Sequence, residues 1–140
     1  MKRLLGTVAA LLVCSVSAFA GDGCYSRLEN DTLTIGNALI ERRFVWNGGN
    51  LVTCSLTDRV SGRVWRNRAA GPDFVLTRDS RATGGRYSSS RVAATQISPA
   101  FTQTVVEFSL GGLDVRRVYR IYDGVPAIAC DTYLKGRAEL

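Results

Sequence analysis

The chain has 140 residues, 46% of them hydrophobic, with 18 lysines and arginines against 12 aspartates and glutamates and no histidine. That length leaves room for one domain. The missing histidine excludes histidine-based nucleophile activation and histidine metal ligation within this chain.

Residues 1–20 read as a cleaved secretory signal. Lys2 and Arg3 form a basic start, residues 4–16 an apolar stretch too short to span a bilayer as a helix, and Ala18-Phe19-Ala20 a small-x-small cleavage site. The expectation is an exported bacterial protein, periplasmic or extracellular, with no membrane attachment after cleavage. Removal takes two basic groups and no acids, leaving 16 cations against 12 anions; 15 are arginines and one is Lys135. They are spread from Arg27 to Arg137 rather than clustered. Even the densest run, residues 59–68 (RVSGRVWRNR), reads as rim and turn charge on an ordinary sheet, so no nucleic-acid partner is expected.

Residues 21–31 read as a mature N-terminal tail, and Asn30-Asp31-Thr32 as a glycosylation sequon in form only. From residue 32 the pattern is a series of strands. Leu33 and Ile35 alternate with threonines before Gly36-Asn37 breaks the run. Ile40, Phe44 and Trp46 then share one face, with Glu41 and Arg43 on the other. Asn47-Gly48-Gly49-Asn50 signals a hairpin. In residues 51–57 the alternation puts Val52, Cys54 and Leu56 on the core side and Thr53 and Ser55 outside. Residues 58–62 turn, and 63–66 form a short strand carrying Trp65. Residues 67–72 are loop, 74–77 a brief apolar strand, 78–85 polar loop, and 87–98 a poorly packed edge strand. In residues 101–110, Val106, Phe108 and Leu110 oppose Glu107 and Ser109. Gly48-Gly49 and Gly84-Gly85 are both expected to be turns; neither joins a strand to a helix as a phosphate-binding loop would.

Residues 113–134 form the organising hairpin. Leu113, Val115, Tyr119 and Ile121 share a face interrupted only by Arg117; Ile128, Cys130, Thr132 and Leu134 share the facing one, and Asp123-Gly124 supplies the turn. Turn signals recur every eight to fifteen residues or so, and no segment after residue 20 has a helical apolar period. The expected fold is therefore all-β, an antiparallel two-sheet sandwich over residues 32–140 built from about eight strands, with a closed barrel as the alternative. After processing, Cys24, Cys54 and Cys130 remain, which allows one disulfide and an odd thiol. Two buried free thiols at Cys54 and Cys130 fit the pattern equally well.

Two stretches carry a resemblance: residues 33–65 (LTIGNALIERRFVWNGGNLVTCSLTDRVSGRVW) and 116–134 (RRVYRIYDGVPAIACDTYL). Their elements are Ile35-Gly36-Asn37, Ile40-Glu41-Arg42, Asn47-Gly48-Gly49 with Leu51, Asp58 with Ser61-Gly62 and Trp65, and Tyr122 with Gly124-Val125-Pro126. In that order they resemble the N-terminal β-sandwich, a galactose-mutarotase-like supersandwich, of exported bacterial glycoside hydrolases of the α-galactosidase-like group. The resemblance implies a catalytic (β/α)₈ barrel as partner, bearing two aspartates that act as nucleophile and general acid/base. No residue here matches the barrel motifs, so no catalytic residue is carried over. It also implies that the sequence is a piece of a longer protein, its sandwich incomplete at the C-terminal end.

The expected function is thus a non-catalytic accessory domain that packs against and orients that barrel. A stand-alone carbohydrate-binding module, with galactosides or other glycans as ligands, is the alternative; an exported structural or adhesion sandwich is a third. Trp46 and Trp65 are the candidate sugar-stacking residues, because an aromatic face meets a pyranose ring while polar neighbours bond its hydroxyls. Glu41, Asp58, Glu107, Asp114 and Asp123 read as outward or turn carboxylates rather than a catalytic pair, and a mutarotase would want a histidine. Asp58, Asn67 and Asp73 offer oxygens to calcium but lack a loop signature, so no metal and no cofactor are expected.

Overall fold

The computed structural model describes residues 23–68, 71–76 and 81–138; the expected signal, residues 1–20, lies outside them. The strands are β1 (Tyr25–Glu29), β2 (Thr32–Gly36), β3 (Ile40–Asn47), β4 (Asn50–Asp58), β5 (Val64–Arg66), β6 (Thr83–Val92), β7 (Phe101–Leu110), β8 (Leu113–Tyr122) and β9 (Ile128–Gly136). They form two antiparallel sheets, β1-β2-β3-β4-β5 and β6-β7-β8-β9, each a plain meander in sequence order. The expected sandwich is what the chain forms. Each sheet supplies one apolar face: Leu33, Ile35, Phe44 and Leu51 from the first, Val106, Phe108, Leu110, Val115, Tyr119 and Ile121 from the second, all essentially buried. Because β1 lies against β6 and β7, the opposite edges, β5 and β9, fall on the same side of the sandwich.

Four local readings are corrected. The expected tail contains a strand: Asn30 and Asp31 take φ of 47° and 56°, and the two-residue turn they make pairs Glu29 with Thr32 and Tyr25 with Gly36. Asn and Asp tolerate that left-handed backbone better than other non-glycine residues, and the turn's twist suits a hairpin. The sequence pattern hid this strand because only Leu28 packs inward.

In β4 the expected faces hold at Leu56 and Ser55 but not at Val52, Thr53 and Cys54. Phe44 pairs with Thr53 while Arg43 pairs with Ser55, so Cys54 is the extra residue of a bulge. Partners across a strand pair share a face. Leu51 and Thr53 therefore lie on the Phe44 side, Leu51 fully buried, while Val52 and Cys54 are only half-buried.

Residues 74–76 form no strand. Asp73 instead occupies the edge of β4, its N–H donating to Leu51 O at 2.7 Å and its Oδ1 accepting from Thr53 N at 2.8 Å. A carboxylate has taken the place of a strand's carbonyl. Phe74 and Leu76 still pack against the core.

Gly84-Gly85 is not a turn but part of β6, where the register slips between Thr83 and Arg86. The slip lets it meet the true Gly48-Gly49 turn: a Cβ on Gly85 would lie 2.5 Å from Gly48 O, and one on Gly49 would lie 2.8 Å from Gly85 Cα. Backbone touches backbone there, which only glycine permits.

A second strand face differs for a larger reason. In β9, Ile128, Cys130, Thr132 and Leu134 do lie on the core side, opposite Ile121, Tyr119, Arg117 and Val115. Yet only Ile128 is even half-buried; Leu134 is 52% exposed. Parity is right and cover is missing. The first sheet ends in a three-residue β5, too short to lie over nine residues of β9.

The far end of the sandwich is pinned by Asn37, which is buried. Its Nδ2 donates to the Tyr122 and Val125 carbonyls at 2.9 and 2.8 Å, and its Oδ1 accepts from the Leu39 and Ile40 amides. One side chain thus closes the β2–β3 connection and clamps it to the β8–β9 turn. Two of the motif elements noted in the sequence, Asn37 and the Tyr122 to Val125 segment, meet there.

Close by, Asp123 accepts from Arg91, at 2.9 Å from Nη1, and from the Cys24 thiol at 3.0 Å. Arg91 first, then Cys24, hold its carboxyl down at about 2. Burial, then Asp123, push the Cys24 thiol up to about 11, so it stays protonated. The sign for Asp123 follows. A carboxyl depressed by folding stabilises the native state above its unfolded value near 4, and that contribution is lost as pH falls through about 2. Urea midpoints of the parent and of Asp123→Asn should therefore differ at pH 6 and converge between pH 4 and 2.

Candidate functional site

The side chain that interrupts the apolar face of β8 is the centre of the site. Arg117 is buried on the core side, only 9% exposed, because its parity matches Val115 and Tyr119. Arg42 holds the equivalent position in β3, two residues before Phe44. Each guanidinium lies over a core ring: Arg42 over Phe44 at 4.7 Å and Arg117 over Tyr119 at 5.2 Å. Those two rings pack tilted against each other with centroids 5.5 Å apart. Cation–ring attraction offsets part of the cost of taking two charges out of water.

Asp73 joins the pair. Its Oδ2 accepts from Arg42 Nη2 at 3.1 Å and from Thr53 Oγ1 at 2.7 Å, and lies 3.9 Å from Arg117 Nη1. Arg42 Nη2 also donates to Thr53 Oγ1 at 2.6 Å. Asp73 thus accepts three hydrogen bonds, none of them from Arg117. Its Nε and Nη1 are buried without a hydrogen-bond partner among the described residues, as is Tyr119 Oη. Nη2 makes only a 3.5 Å contact to Cys130 Sγ. Burial pushes the Tyr119 hydroxyl well above the usual phenol range, so it remains a neutral donor.

These groups open into a cleft of about 470 Å³ at the β5 side, lined by Arg42, Thr53, Leu56, Trp65, Asp73 and Arg117, with Arg66 and Asn67 at its rim. Trp65 pairs with Leu56 across the strands and is 49% exposed. Of the two tryptophans expected to meet sugar, the structure brings Trp65 to this cleft. Trp46, paired with Leu51, is half-buried against the core instead.

A larger hollow of about 800 Å³ lies at the β1 side, but its polar groups are spent on one another. Tyr25 Oη donates to Glu41 at 2.6 Å and accepts from Arg59 at 2.6 Å, while Arg43 donates to Glu41 at 2.8 Å. Burial works to raise Glu41, but the Tyr25 and Arg43 hydrogen bonds and the Arg43 and Arg59 charges outweigh it and hold the carboxyl below its usual range. Burial, then Glu41, push Tyr25 up to about 12.

The other candidates disperse. Asp58 caps its own turn, accepting from Val60 N, Ser61 N and Ser61 Oγ. Asp73 serves the arginines, and among the described residues no three acidic or cysteine side chains converge as metal ligands. Cys24, Cys54 and Cys130 are all free thiols, and Cys130, expected to be buried, is exposed because β9 lacks cover.

Sequence reasoning missed the Arg42–Asp73–Arg117 cluster, although the signal was present: a charged residue at a core-parity position in each of two strands. Compared with family models, with curated proteins and with solved structures, the chain matches none.

Proposed function

We propose that this chain is a non-catalytic accessory β-sandwich of an exported glycoside hydrolase, one that packs its β5/β9 edge against further protein such as a catalytic barrel. The observation that carries the reading is the uncovered core-side face of β9. Leu134 leaves apolar surface in water where a sandwich would normally bury it. Apolar surface left exposed on a core-side face marks a place where another surface belongs. The test is a hydrophobic dye with sedimentation on the isolated chain. Dye binding and self-association are expected, both reduced in Leu134→Glu; a dye-silent compact monomer would overturn the reading.

A second reading, a stand-alone carbohydrate-binding module, is favoured by the half-exposed Trp65 set beside charged groups in a cleft. Calorimetry with saccharides separates the two, since a domain that only packs binds none.

A further inference from the structure

We infer that the Trp65 cleft is a binding site for acidic saccharides, sugars bearing a ring carboxylate. This rests on the chain serving a carbohydrate-active protein and adds the ligand's charge. The charges in the cleft are out of balance. Among the described residues, Arg42, Arg66 and Arg117 line the cleft with one carboxylate, Asp73, among them. Asp73 already receives Thr53 N, Thr53 Oγ1 and Arg42, so it has little left for Arg117. A buried guanidinium with two unpartnered nitrogens is costly to keep, unless an acceptor of opposite charge completes it. A planar carboxylate matches the guanidinium fork better than any neutral hydroxyl does.

The cleft also specifies what carries the carboxylate. Trp65 and Leu56 provide an apolar wall and Thr53 a hydroxyl, the combination a pyranose ring needs. Arg117 lines the cleft with its Nε and Nη1 buried, so the guanidinium turns outward about its terminal torsions to meet the ligand. The turn gives up the 3.5 Å thiol contact, the 3.9 Å approach to Asp73 and the 5.2 Å placement over the Tyr119 ring, which the ligand's carboxylate must outweigh.

The experiment is calorimetry on the full chain with trigalacturonate, neutral galactotriose and sodium acetate. Trigalacturonate should bind about ten-fold tighter than galactotriose at low salt, with the margin shrinking as salt is raised. Trp65→Ala should abolish binding of both trisaccharides. Arg117→Met should remove the acidic preference alone, and Arg66→Gln, on the exposed rim, provides the same test should the buried variant not fold. Equal affinity for the two trisaccharides overturns the acidic preference while leaving a carbohydrate module in place. Acetate binding as tight as trigalacturonate, or no trisaccharide binding at all, overturns the saccharide site. The dye test at β9 is unaffected by either result, so the two readings fail separately.

Discussion

Asp73→Ala should cost the fold about 3–5 kcal/mol in urea unfolding, while Arg117→Met should fall within about 1 kcal/mol of the parent or above it. The asymmetry is the point. Removing Asp73 strips the counter-charge from Arg42, leaves Arg117 with no carboxylate within 4 Å among the described residues, and frees the Thr53 amide and hydroxyl from their acceptor. Removing the Arg117 guanidinium relieves a buried charge whose only hydrogen bond among the described residues is to a thiol, and methionine fills much the same volume over Tyr119. Equal losses in the two variants would mean that Arg117 is well compensated, and would weaken the case for an anionic ligand.

Phe44→Ala is expected to destabilise by about 3–5 kcal/mol, and Phe44→Leu by about 1–1.5. Phe44 is fully buried, packs on the Tyr119 ring across the sheets, and carries Arg42 above it. Truncation would open a cavity between the sheets and also remove the platform that orients Arg42 toward Asp73. A double-mutant cycle with Asp73→Ala should therefore show non-additivity beyond about 0.5 kcal/mol. Strict additivity would place the core and the polar cluster in separate units.

Much of this architecture can be read from one-dimensional pattern. In β7 and β8 alternate residues face the core without a break, and the turns at Gly48-Gly49 and Gly111-Gly112 announce themselves by composition. Strand β1 escaped because Tyr-Ser-Arg-Leu-Glu offers a single apolar residue, and its existence rests on the Asn30-Asp31 turn bringing it to β2. The faces of β4 escaped because a bulge at Cys54 depends on how β3 and β4 register, which neither strand encodes by itself. In the cleft, Trp65 was legible as a rim aromatic, and Arg117 as a break in an apolar face. Their meeting was not legible.

The residue order alone determined that this is a β protein, where most strands and hairpins lie, and, outside the bulged β4, which side chains point inward, because strand parity and turn preference are local properties of the backbone. Tertiary structure decided what that parity means. Leu134 and Val115 share a face and a register, yet one is exposed and the other buried, because burial depends on how far the opposite sheet extends. Arg42, Asp73 and Arg117 become one electrostatic unit only because the two sheets stack, and charges interact through space rather than along the chain.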